Sequence, residues 1–154
     1  MPTKKTAIEI FLDISVYLTG FEKIDLLGTG MTEAYYDALD EKYGHKPGLL
    51  ESFFKTAKSI LTENDTNAIN AQIADKLLND KFNDLSNNII SVWYMGALLH
   101  TSAGFANYHN ISSQSYVQGL IWSTADAHPP GAKQPGYGSW NLDPSGNKHP
   151  NDKN

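Results

Sequence analysis

The stretch "NNIISVWYMGALL", Asn87 to Leu99, constrains the fold more than any other part of the chain. Beyond its two asparagines it is apolar on nearly every face of a helix, and a helix of that kind is buried at the centre of other elements. It is far shorter than the ~20 residues needed to cross a bilayer, so the elements around it belong to the chain itself. Gly96 falls inside the predicted helix. Glycine costs about 1 kcal/mol relative to alanine there, and its return is close approach of a neighbouring backbone.

The other segments repeat their apolar residues with a helical period. Thr6 and Glu9 have capping-box spacing, and Ile8, Phe11, Leu12 and Leu18 follow at helical intervals up to Gly20, a residue suited to a left-handed C-cap. Tyr35, Tyr36, Leu39 and Tyr43 mark a second helix that stops at Gly44. After "HKPG", residues Leu50, Phe53, Phe54, Ala57, Ile60 and Leu61 form a broad apolar face. Ile69, Ile73 and Leu77 recur every four residues, and Tyr116, Leu120, Ile121 and Trp122 mark a last helix after a polar loop through Asn107 and Asn110. No segment has the strand period of two. The predicted class is therefore all-α: a single helical bundle of about five or six helices over 1–127, continued by an extended Pro/Gly-rich C-terminal tail of the same domain over 128–154.

Composition excludes several functions. The chain has 154 residues, enough for one domain with one core. Its net charge is −5 and all 12 of its basic residues are lysine. Without the bidentate guanidinium fork or a basic footprint, nucleic acid is not an expected partner. The absence of cysteine removes disulfides, thiolate metal sites, covalently attached haem and thiol nucleophiles. No direct membrane insertion is expected, and the start "MPTKKTAIEIF" lacks a continuous signal-peptide core.

The chemistry-bearing residues form no persuasive site. His100 and His109 are nine apart and His128 lies well downstream, with no HExxH or other compact ligand set, so no metal is expected. Asp126 and His128, beside Pro129 and Pro130, are spaced for local hydrogen bonding at a helix end rather than for acid–base catalysis. The GxG of "LLGTGMT" lacks the third glycine and preceding strand of a dinucleotide fingerprint and reads as an interhelical turn. Asp37, Asp40 and Glu41 read as a solvated face, and "WYMG" as core before cofactor cradle. No G-x-S-x-G elbow occurs. The expectation is a chain without catalytic residues.

The tail "HPPGAKQPGYGSWNLDP" differs in kind, because it sets Tyr137 and Trp140 among prolines and glycines. Ordering its backbone costs about 1–2 kcal/mol per residue, more than two rings offset. Such a tail is ordered by lying across its own bundle or across a partner.

The order of these segments resembles a known family. "FLDISVYLTGFEKID", "TEAYYDALDEKYG", the "WYMG" helix, "SYVQGLIWS" and "PPGAKQPGYGSWNLDP" are together similar to the small subunit of bacterial FAD-dependent sorbitol, fructose and glucose dehydrogenases, over Phe11 to Pro144. The resemblance implies a noncatalytic accessory role: binding, stabilising and helping to mature or export a large subunit that holds FAD, in a complex that usually includes a haem c subunit. It implies a periplasmic location at the inner membrane through that complex, and no cofactor in this chain. Members normally begin with a twin-arginine signal, which this arginine-free chain does not contain. The matched residues Trp93, Tyr94, Trp122, Pro130, Gly131, Gly138 and Trp140, with Tyr137 beside them, would be packing and partner-docking residues. The alternative from the residues alone is a standalone helical binding module whose tail packs on its own bundle.

Overall fold

In the computed structural model the described residues are 3–102 and 104–132. Helix α1, Lys4–Thr19, is capped by Thr3, whose side chain accepts the Thr6 N–H at 3.3 Å, so Thr6 lies inside the helix and the Thr6/Glu9 box is not the start. Gly20 ends it in the left-handed conformation (φ 77°), its N–H returning to the Val16 carbonyl. A short helix α2, Lys23–Gly28, then occupies part of the segment read as a turn; it buries Leu26 and leaves Ile24 and Leu27 exposed. Helices α3 (Thr32–Tyr43), α4 (Leu49–Ile60) and α5 (Thr66–Lys76) fall on the expected apolar patterns.

Helix α6, Asn83–Met95, is the buried centre. It packs on α1 and α3, while α4 packs between α1 and α5. One continuous aromatic lattice ties α1, α3, α4 and α6. Trp93 stacks on Phe11 (ring centroids 5.7 Å apart) and meets Tyr35 edge-on at 5.0 Å; Phe11 contacts Tyr36, Tyr36 contacts Phe54, and Phe53 bridges Phe54 and Phe82. Each such pair adds about 0.5–1.5 kcal/mol beyond the area it buries. The indole Nε1 of Trp93 is buried without a partner among the described residues.

The structure corrects the purely helical expectation beyond Met95. Gly96 is not within a helix but ends α6 at φ 65°, and Ala97–Ser102 (β1) pairs antiparallel with Phe105–Asn110 (β2), the segment read as a polar loop. Among the described residues the fold is thus mostly helical with one two-stranded sheet. The cause is local competition for backbone groups. Asn88 Oδ1 accepts the Leu99 N–H at 2.8 Å and Ser91 Oγ donates to the Ala97 carbonyl at 2.7 Å. The side chains of α6 therefore hold β1 alongside the helix. The last helix is also divided, into α7 (Ser113–Gln118) and α8 (Ile121–Thr124), with Gly119 between them.

Gly96 is required twice over. Its φ is positive, and a β-carbon there would lie 2.0 Å from the Ser115 carbonyl oxygen. At Gly30, φ is 67° but a β-carbon would meet nothing within 4 Å. Gly30→Ala should then cost about 1–2 kcal/mol, the left-handed penalty alone, and Gly96→Ala about 3 kcal/mol or more. Urea unfolding of both variants measures the difference; equal losses would show that the Ser115 contact carries no constraint.

Candidate functional site

Three segments far apart in sequence close on one another at the C-terminal end of α6. The Leu120 N–H donates to the Trp93 carbonyl at 3.0 Å, and Ser115 Oγ donates to the Gly96 carbonyl at 2.7 Å. Gly119 fits against the Tyr94 carbonyl, where a β-carbon would approach to 2.8 Å. Ser112 and Ser115 cap α7 reciprocally, each side chain accepting the other's backbone N–H. Trp122 Nε1 donates to the Tyr116 carbonyl at 2.7 Å while the two rings meet edge-on at 5.2 Å. The Tyr116 hydroxyl in turn donates to the Pro130 carbonyl at 3.3 Å.

These contacts build one wall of a cleft of about 370 Å³. Asp25 in the first turn of α2 and Thr29 at its C-cap, Gly119 and Trp122 from the α7–α8 region, and His128 and Pro129 line it. The chain reaches the cleft through a turn at Asp126, a non-glycine residue with φ 51°, where the Ala127 N–H is held by the Trp122 carbonyl. Pro129 is buried and Pro130 is exposed.

The residues anticipated from sequence that fall within the described part of the chain each have a defined place. Trp93 is a core side chain. Tyr94 is half-buried, its hydroxyl donating to the Thr19 carbonyl at 2.9 Å and its ring meeting Phe21 edge-on. Trp122 lines the cleft, the Pro130 carbonyl accepts the Tyr116 hydroxyl, and Gly131 follows in the left-handed conformation at φ 79°. Tyr137, Gly138 and Trp140 lie outside the described residues, as does the rest of the tail from 133. Asp126 is exposed and serves the turn, and His128 lines the cleft wall. The roles of Gly119, Ser115 and α2 were not anticipated, although the Ser112/Ser115 spacing is a legible cap signal.

A second group gathers where the sheet meets α3. His100 and His109 have ring centroids 4.7 Å apart, because Leu98 pairs with His109 and places His100 diagonally across. The Lys42 ammonium donates to the Leu99 carbonyl nearby, and the Tyr43 hydroxyl donates to Asp84 at 2.8 Å. Among the described residues no three His, Asp or Glu side chains converge on a metal-sized point. His100 is held below its ordinary pKa of 6.5 by partial desolvation first, then by Lys42 and His109, against the opposing charge of Asp84.

No family model, curated protein or solved structure matches this chain.

Trp122→Phe, which keeps a ring against Tyr116 but removes the indole donor, should cost about 1 kcal/mol in urea unfolding; an unchanged stability would mean that the bond does not fix the turn. His100 gives a pH test. Its folded pKa is depressed, so the unfolded chain binds the proton first as pH falls below 6.5, and the stabilising contribution is full above that value and declines below it. An NMR titration should place the His100 midpoint below 6.5, with hairpin amide protection falling over the same window.

Proposed function

We propose that this chain is the noncatalytic small subunit of an FAD-dependent sugar or polyol dehydrogenase, binding and stabilising the flavin-bearing catalytic subunit and assisting its maturation or export to the periplasm. One observation carries the reading: the segments on which the family resemblance rests, "WYMG", "SYVQGLIWS" and the start of "PPGAKQPGYGSW", are packed into a single unit by the Trp93–Leu120, Gly96–Ser115, Trp122–Tyr116 and Tyr116–Pro130 contacts. Segments with no chemistry of their own, joined in this way, act as a rigid base at the start of the Pro/Gly-rich segment. Its origin is fixed at Pro129 and Pro130, so a partner that receives Tyr137 and Trp140 meets a pre-aimed chain. Pre-aiming reduces the ordering cost of association.

The flavin chemistry and any transfer of electrons to a haem c subunit belong to other polypeptides in this reading. Substrate is recognised there too, and Trp122, Pro130, Gly131, Tyr137, Gly138 and Trp140 serve docking. The other reading, a standalone module with its tail on its own bundle, draws on the same cleft beside His128 and Pro129, which such a tail would fill.

Gentle purification of the tagged chain from its own source should bring down a larger protein with flavin absorbance that reduces a dye when given sugars or polyols. A chain ending at Ala132, which retains the Tyr116–Pro130 bond, should stay folded by circular dichroism and lose the flavoprotein. Full retention of the flavoprotein by the shortened chain would remove the tail from the interface, and a colourless, solitary chain would favour the standalone module.

A further inference from the structure

The hairpin is unequal at its two edges. Leu99 sends its N–H to Asn88 and receives Lys42 at its carbonyl, and Ala97 receives Ser91, so these residues point away from β2. The alternation of antiparallel ladders then makes Leu98–His109, His100–Asn107 and Ser102–Phe105 the hydrogen-bonded pairs, in line with the Ile111 N–H to Gly96 carbonyl bond that extends them. On β2 the backbone groups of Ala106, Tyr108 and Asn110 consequently face away from the sheet, and among the described residues no group accepts or donates to them. Every residue of β2 is exposed, Phe105 and Tyr108 included.

Free edges of this kind are normally blunted by lysine, proline, a bulge or a covering element. The strand "FANYHN" has no charged residue, no proline and no bulge in its register. A two-stranded sheet is also marginal by itself in water and gains from further strands.

We propose that β2 pairs with β2 of a second copy of this chain, giving a four-stranded antiparallel sheet across a two-fold axis at Tyr108. The edge is self-complementary. With the axis at Tyr108, Ala106 lies opposite Asn110, Tyr108 opposite Tyr108, and Asn107 opposite His109 of the other copy, so no carboxylate or ammonium meets its like. The outward groups of Ala106, Tyr108 and Asn110 then form about six interchain hydrogen bonds, an isologous contact that closes at two copies. This pairing is separate from the tail and from the cleft at Trp122, and it does not depend on the dehydrogenase reading.

The test uses the full chain. Sedimentation velocity across a wide concentration range should show the 17.0 kDa monomer passing to twice that mass. Tyr108→Pro removes an outward N–H while leaving the inward ladder positions 107 and 109 intact, and should remain monomeric with an unchanged circular dichroism spectrum. Tyr108→Phe should dimerise as the parent does. Because the proline variant could disturb the hairpin itself, hydrogen exchange on the unaltered chain supplies an independent reading: the amides of Ala106, Tyr108 and Asn110 should slow roughly tenfold or more on dimerisation. A parent chain monomeric throughout the range, a dimer in which those three amides exchange freely, or a folded proline variant that dimerises as tightly as the parent would each overturn the proposal.

Discussion

The contacts of Trp93 on both sides of its own backbone hold the molecule together. Its ring lies in the core between Phe11 of α1 and Tyr35 of α3, and its carbonyl accepts the Leu120 N–H from the turn between α7 and α8. The bundle and the C-terminal elements therefore share one residue. Burial sets the orientation of α6, and once α6 is set, the carbonyl that receives the C-terminal segment is set with it. The Tyr94 hydroxyl bond to Thr19 repeats the arrangement one residue further on, tying the same end of α6 to the end of α1.

From that end of α6 the chain could continue as a helix or leave it, and glycine decides. At φ 65°, Gly96 turns the backbone back along the helix, where Asn88 and Ser91 present polar atoms that would otherwise be unpaired in a mostly apolar surface. The same glycine admits Ser115 from α7. One residue without a side chain thus permits both the sheet and the docking of the C-terminal helices, and its two roles cannot be varied independently. On the inner edge of the resulting hairpin, side chains of α3 and α6 engage both backbone groups of Leu99 and the carbonyl of Ala97, while every residue of the outer strand is exposed. That inequality, rather than any cluster of reactive groups, is the chemical feature that distinguishes the hairpin surface.

The helices on one-sided apolar patterns were legible because their periods are long and their stops are glycines: Gly20 after α1, Gly44 after α3 and Gly48 before α4 all lie at the ends read from the chain. The sheet was not legible. "ALLHTS" continues an apolar run without changing period, and "FANYHN" is polar enough to pass for a loop, so neither strand shows the alternation that marks a half-buried one. The His100–His109 contact disappeared with it, since nine residues is an unremarkable spacing on a helix and a close one across a hairpin. Trp122 and Pro130 could be named from the sequence, but their connection through the Tyr116 hydroxyl could not.

What the sequence determined by itself was local: where apolar faces lie, where α1 and α3 stop, that α6 must be central, and that cysteine and arginine chemistry are absent. These follow from composition and from periodicity over a few turns, which each segment carries within itself. The tertiary structure alone decided that Gly96 would end its helix rather than sit within it, that Asn88 and Ser91 would hold a strand, and that Trp93, Ser115 and Pro130 would come together at one junction. Those outcomes depend on which backbone groups find partners across tens of residues, a competition settled only when the segments are packed against one another.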